Sequence, residues 1–333
     1  VGGVDNVPLL VGELSCPENI AEAGKLSLAT LPGKAVDHAI LDAMKAADQS
    51  TRLALIKVLC KRESVVAVPA LLAEAGQADA ARHGPAIEGL RSLASPKDVP
   101  ELISLLSKTP KGKHRDEIEK TILLVCNNIE DPDKRAAPVL AVLTKADEEG
   151  KCLLLPVAGR LGSSDSYKTV EAAIKSGNPK LQDAGVRALC NWPDNSVADH
   201  LLAMVKQTQN KQHRTWALRA YVRVITLESK RPPTQTLAML QDAMKLAQAD
   251  PQRQLILQRA ATVRTIETLR WVVPYLDDRA LNQTACETIA DLAHHRFLRT
   301  PNKEEFTKAL KKVTKISKDP KVVERAQRYI LGI

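Results

Sequence analysis

Apolar and polar residues alternate along this chain with the period of a helix. In "ALIKVLC" (54–60), "EGLRSLA" (88–94), "AGVRALC" (184–190), "WALRAYV" (216–222) and "LQRAATV" (257–263) the apolar set falls at i, i+3, i+4 and i+7. That spacing puts one stripe on one face of an α-helix. A second phrase precedes these windows: an apolar residue, a proline, then a leucine-rich run. It appears as "NVPLLVGEL" (Pro8), "AVPALLAEA" (Pro69), "DVPELISLL" (Pro100), "AAPVLAVL" (Pro138) and "VVPYLDD" (Pro274). Between the phrases lie "DQST", "SPKD", "EDPDK", "SGNP", "ADPQ" and "LDDRA". Asp, Asn and Ser beside Pro start and stop helices, because their side chains cap free amides and Pro donates no hydrogen bond. No segment shows the strict alternation of a half-buried strand.

The two phrases recur together. Pro69 and Pro100 are 31 residues apart, and Pro138 to Pro274 is 136, four times 34. The unit is a helix A, a short turn and a helix B. Ten fit: 4–31, 34–62, 64–94, 96–129, 131–162, 163–192, 193–229, 232–262, 264–295 and 302–333. One hairpin cannot bury its apolar face, but a stack of hairpins buries it between neighbours. The expected fold is therefore all-α: a single α-solenoid over 1–333, coiled as a right-handed superhelix.

The proline before a Leu-rich helix A, the Asp-Pro turns of "EDPDK" and "ADPQ", and a helix B ending as in "VRALC" resemble the HEAT-repeat family, including its HEAT-like and PBS-lyase-like branches. The resemblance covers nearly the whole chain. It implies the solenoid and leaves function open, since such arrays serve many roles. The early segments "PENIAEAGKLSLATLPGKAVDHAIL" and "AVPALLAEA" are similar to the HEAT arrays of large bacterial multidomain proteins. That likeness implies one module of a longer chain, cytoplasmic, or periplasmic or extracellular if exported.

Composition adds a bias and removes some classes. The 333 residues are 44% hydrophobic and 26% charged, with a formal charge of +9, which favours acidic partners. The most apolar runs, such as "LLLPVAG" at 153–159, are far short of the ~20 residues that span a bilayer. There is no Gly-rich phosphate loop, no His-Glu-x-x-His and no Gly-x-Ser-x-Gly. The seven histidines are scattered; His294 and His295 are adjacent, so on a helix their rings diverge by ~100°. The expectation is no catalytic residue, no metal and no cofactor. Cys60, Cys126 and Cys190 end their helix B phrases two repeats apart, too far to bridge. They are expected to be buried free thiols.

The stretch "HRTWALRAYVRV" (213–224) interleaves basic and aromatic side chains. On a helical wheel Tyr221 falls on the apolar arc and Arg214 within it, where Arg in a HEAT pattern bridges to acids of a neighbouring turn. Trp216, Arg219 and Arg223 fall on the opposite arc. Aligning the helix B phrases puts Lys57, Arg91, Arg187, Arg219, Arg259 and Arg328 in one column, interrupted by Leu123, Gly159 and Ala290. The candidate binding surface is this column with Trp216 and Arg223, facing the concave side of the array. The bland alternative is a solvated face repeated by duplication. All nine aromatics lie at or after Tyr167, residues 205–231 hold seven Lys/Arg against Glu228, and 300–333 hold nine against four acids. These features concentrate recognition surface in the second half. The loop "KTPKGKHR" (108–115) is a further basic cluster with a solvated turn as its default reading.

The expected function is a non-catalytic scaffold that binds another protein, one with an acidic surface. A second reading is a nucleic-acid protein similar to HEAT-like DNA glycosylases, for which Trp192, Trp216, Asp183 and Asp199 are the available residue types. A third is a bilin-lyase-like HEAT protein, for which no residue is specific.

Overall fold

The computed structural model describes residues 2–77 and 80–332, without the side chains of 80–82; residues 1, 78, 79 and 333 of the expected array lie outside it. Among the described residues there is no strand. The chain divides into two compact units, Val1–Ala172 and Ala173–Ile333.

In the first unit helices come in consecutive pairs: α1 Val7–Glu13 with α2 Glu18–Thr30, α3 Lys34–Ala46 with α4 Gln49–Lys61, α5 Val68–Ala75 with α6 Ala80–Leu93, α7 Val99–Lys108 with α8 Lys113–Asn127, and α9 Ala137–Leu143 with α10 Glu148–Leu161. Each second helix packs on the second helix of the next pair, giving a layer α2–α4–α6–α8–α10, while α1 packs on α3, α5 on α7 and α7 on α9. The division between the units falls within α11 Ser164–Ile174. α12 Pro179–Cys190 follows it. The second unit then holds α13 Ala198–Gln207 with α14 Lys211–Ile225, α15 Pro233–Leu246 with α16 Asp250–Ala260, α17 Ile266–Val272 with α18 Asn282–His294, the short α19 Arg296–Arg299, and α20 Lys303–Ile316 with α21 Pro320–Ile330. Here α12, α14, α16 and α18 form the stacked layer.

The proline phrase works as a helix start in four places. A 3-10 turn (Val4–Asn6, Val65–Ala67, Pro96–Asp98, Pro132–Lys134) leads into α1, α5, α7 and α9, each with Pro in its first turn, where its missing N–H costs nothing. Pro274 does not do this. Its helix A, α17, begins earlier at Ile266 behind a Thr265 cap, and Pro274 lies in the 3-10 turn Val273–Asp277 that follows. Pro274 has no N–H to donate to the carbonyl four residues back and its ring crowds that carbonyl, which favours the change to a 3-10 turn there. The second helices start as the turn clusters predict. Asp48 accepts from the Thr51 amide, Asp147 from Gly150, Asn178 from Lys180 and Leu181, and Asn210 from Gln212 and His213. Each such cap is worth ~1 kcal/mol.

The core of the first unit is aliphatic, with Leu28, Ile40, Leu55, Leu90, Leu102 and Ile118 fully buried; the second unit adds Tyr221 and Phe306. Burial of a Leu or Ile side chain contributes roughly 1.5–3 kcal/mol. Tyr221, a core residue on the wheel, is buried enough that its phenol is pushed up to about 12.

Polar bonds stitch successive pairs at the repeat spacing. Arg62, just after α4, donates from Nη1 to the carbonyls of Leu28 (2.7 Å) and Leu31 (2.6 Å) at the end of α2, from Nη2 to Gly33 (3.2 Å) and from Nε to Asp37 (2.5 Å). Its side chain is 7% exposed and that of Asp37 13%. The last carbonyls of a helix have no intrahelical donor, and a guanidinium fork supplies several at once. Arg135, Arg231 and Arg299 do the same locally, each donating to a carbonyl six residues back, of Ile129, Ile225 and Ala293.

Cys60, Cys126 and Cys190 are free thiols, but only Cys126 is fully buried; Cys60 and Cys190 are half-buried. The expected small-residue slot at the end of helix B is thus on the edge of the core in two cases. Burial pushes the thiols of Cys126 and Cys190 up to about 12 and raises that of Cys60. Among the described residues no helix is long and apolar enough to cross a membrane.

Candidate functional site

The candidate surface lies on α12 and α14, adjacent in the stacked layer of the second unit. α14 buries Ala217, Leu218, Ala220, Tyr221, Val222, Val224 and Ile225. That leaves Arg219 exposed and Trp216 and Arg223 half-buried. α12 likewise buries Gly185, Val186, Ala188 and Leu189 around an exposed Arg187.

Two side-chain contacts around Trp216 join the helices. The Arg187 guanidinium lies over the Trp216 ring, 4.7 Å from its centroid. The His213 ring, 5.7 Å from Trp216, is bound through Nε2 to Asp183 Oδ1 at 2.5 Å. The chain Asp183–His213–Trp216–Arg187 therefore braces α12 against α14. An exposed cation–π pair contributes about 0.5–1 kcal/mol and holds the guanidinium flat on the indole, with its edge N–H groups free to donate outward. The bridge to an acid of the preceding pair, expected of Arg214, is made by His213 instead.

Arg223 is not a free surface cation. Its Nη2 donates to the carbonyls of Cys190 (3.2 Å) and Trp192 (2.6 Å) at the end of α12, one repeat back. It is the counterpart of Arg62 in the first unit. Burial lowers its pKa, and the positive charge of Arg259 acts in the same direction. The helical wheel places it opposite the apolar arc, but its side chain is half-buried and folds back to carbonyls instead of facing solvent.

The aligned column also changes. In α4, α6, α12 and α14, the exposed position flanked on both sides by two buried residues is held by Lys57, Glu88, Arg187 and Arg219. Arg91 sits one turn beyond Glu88, half-buried, donating to Thr121 Oγ1 (3.3 Å) and paired with Glu117. Arg259 and Arg328 are exposed but outside this position, next to Gln258 and Gln327, and in α18 it belongs to half-buried Glu287. Besides the interruptions at Leu123, Gly159 and Ala290, the acids Glu88 and Glu287 break the column in the structure. In the second unit the structure brings together Arg187, Trp216 and Arg219, with Arg259 near enough to Arg223 to act on its charge; Arg328 is on α21. In the first unit Lys57 lines a cleft of about 510 Å³ between α2 and α4 with Glu22, Lys25, Leu26 and Lys61. Glu22 is paired there with Lys25 at 2.6 Å.

Of the residue types of the glycosylase-like reading, Asp183 and Trp216 are brought together through His213, and Trp192 and Asp199 are not shown to join them. Trp192 is 3% exposed with its indole N–H on Ser196 Oγ, Asp183 is engaged by His213, and Asp199 is on α13. Among the described residues no group of three or more His, Cys, Asp or Glu is placed to hold a metal ion. Outside the predicted surface, the sequence reading did not single out the His83–His114 contact, at 4.0 Å between ring centroids, because the two lie on different helices.

No family model and no curated protein matches the chain. Solved structures do. A structure of Kap95p binding to RanGDP is similar over 98% of this chain and 51% of that one, with 13% identity and a TM-score of 0.56. Kap121p bound to Pho4p matches over 99% and 42%, with 11% identity and a TM-score of 0.59. A second structure of Kap121p matches over 98% and 42%, with 10% identity and a TM-score of 0.58. The chain thus spans about half or less of the length of these relatives. At such identity the likeness is one of fold, and the fold is the HEAT-type α-solenoid.

Proposed function

We propose that this chain is a non-catalytic scaffold that binds an acidic segment of another protein on the α12–α14 surface. The observation that carries the reading is the Arg187–Trp216 stack, an indole with one guanidinium held flat on it, with the exposed Arg219 three residues along α14. Arg and Trp are the side chains that most often dominate protein interfaces. A carboxylate meeting the exposed edge of Arg187 makes paired charge-assisted bonds, and an apolar neighbour covers the indole. The solved relatives support a protein partner in kind: one is described with RanGDP, the other with Pho4p.

The test is a titration of acidic peptides, each with a neutral Asn/Gln counterpart, against wild type and the Arg187→Glu/Arg219→Glu variant at ~0.15 M salt. The expected result is preference for the acidic peptides and about tenfold or greater loss in the variant. An acidic peptide that binds no better than its neutral counterpart overturns the proposal. Tight, steeply salt-dependent binding of duplex DNA, lost in the same variant, makes this a nucleic-acid surface instead.

A further inference from the structure

The basic loop 108–115, set aside above as a solvated turn, encloses a cleft in the first unit. The cleft, of about 520 Å³, is lined by Ala75, Gly76 and Gln77 at the end of α5, His83 of α6, Leu105 of α7, and Lys108 through His114 across the α7–α8 turn. Its volume is within the roughly 300–1,000 Å³ typical of small-molecule sites. Among the described residues its charged lining is Lys108, Lys111 and Lys113, with no Asp or Glu.

Three features converge on this cleft. First, α8 begins here with no side chain capping it. Gly112 is its N-cap at φ 146°, in the region open to glycine, and its carbonyl takes the Asp116 amide at 3.1 Å. The amides before Asp116 have no intrahelical acceptor and carry the positive end of a 15-residue helix. Second, the three lysines surround that end. Third, His83 forms part of the wall, 5% exposed. Its Nδ1 is 2.7 Å from the Ala75 carbonyl, so that nitrogen carries the proton. Its Nε2 is buried with no hydrogen-bond partner. The His114 ring lies on it and the His114 backbone acts on it, so the imidazole faces the first turn of α8. A buried nitrogen without a partner destabilises the fold unless something completes it.

We propose that this cleft binds a phosphoryl oxyanion, as free phosphate or as a small phosphomonoester. Helix amides and lysines neutralise the charge, the combination that holds phosphates at helix N-termini. A singly protonated phosphoryl group presents one P–OH, and that hydroxyl donates to the Nε2 lone pair. The same complex forms from the doubly charged group if His83 takes up a proton and donates it. The site therefore pairs one proton with one phosphoryl group. Among the described residues, Lys108, His114, Lys111 and Lys113 are the other charged or titratable groups of the lining. Asp116, in the first turn of α8, is exposed outside it.

The test titrates the full chain with inorganic phosphate and, separately, with glycerol 3-phosphate, following phosphorus NMR and the nitrogen shifts of the imidazoles. Expected are saturable binding, a moving His83 Nε2 signal, and about tenfold or greater weakening in Lys111→Ala/Lys113→Ala, whose side chains are exposed. Arg187→Ala/Arg219→Ala leaves it unchanged. Tighter binding of glycerol 3-phosphate identifies a monoester site, and binding of phosphate alone a free-phosphate site. His83→Phe keeps the ring volume and removes Nε2; where that variant does not fold, the lysine pair and the His83 signal decide. Absence of saturable binding by either ligand overturns the proposal. So does binding that survives the lysine substitutions with His83 unmoved, or that falls equally in the Arg187/Arg219 variant.

Discussion

Glu117 shows how one carboxylate ties a repeat to its neighbour. It accepts from Lys120 within α8 and from Arg91 of α6, and these bonds, with Lys120 first, lower its pKa to about 2. An unfolded Glu titrates near 4.5. The folded state therefore binds the proton more weakly, and the pairing contributes stability above the unfolded value that is lost as pH falls from about 4.5 toward 2. Glu117→Gln should lower the urea midpoint at pH 7, and the gap from wild type should close by about pH 2. Because the carboxylate is partly exposed, ~1 M salt should narrow the gap too. A gap independent of pH would show that the substitution acts through packing. This pair was not legible in the sequence: Arg91 was read as a surface cation because its partner lies 26 residues away, on a helix whose phase the sequence leaves open.

At the scale of elements, caps and hairpins were readable because they are local. Asp48, Asn178 and Asn210 cap the helices that follow them, within three residues of the amides they accept from. The column was misread because aligning phrases by letters does not fix which residue each helix turns outward. Glu88 is three positions, nearly one turn, from Arg91, and only packing selects between them. Pro274 was misread for the opposite reason: a true local signal, but one that ends an element instead of opening it. Arg223 combines both difficulties. Its helical phase is outward, yet its guanidinium closes the end of α12 across 31–33 residues of sequence. Arg223→Glu would set a carboxylate against two carbonyls and leave them without donors, a loss of about 1–3 kcal/mol. Arg219→Glu, on an exposed side chain, should change stability by no more than ~0.5 kcal/mol. Thermal or urea unfolding of the two single variants separates them. Equal stability would mean that the Cys190 and Trp192 carbonyls find other donors.

For the whole chain, the question is how far a local loss spreads. In a solenoid each repeat contacts only its neighbours, so stability is a sum of repeat and interface terms. Arg62 is a sharp probe of this. It bonds to Leu28, Leu31, Gly33 and Asp37, all within about one repeat. Removing it strands a nearly buried Asp37 and two helix-end carbonyls, a loss of about 3–5 kcal/mol. The optical reporters lie elsewhere: the first aromatic, Tyr167, is 105 positions beyond Arg62, and the tryptophans are at 192, 216 and 271. Far-ultraviolet circular dichroism sees helices of both units, whereas tryptophan fluorescence sees only the second. Arg62→Ala should therefore produce an early helical transition with the fluorescence midpoint close to that of wild type. Calorimetric and van't Hoff enthalpies should then disagree, since the transition is no longer two-state. If both probes shift together by the full amount, the array unfolds as one cooperative body, and nearest-neighbour terms alone do not describe it. The design of the probe rests on a compositional accident, the absence of Phe, Trp and Tyr from the first 166 residues.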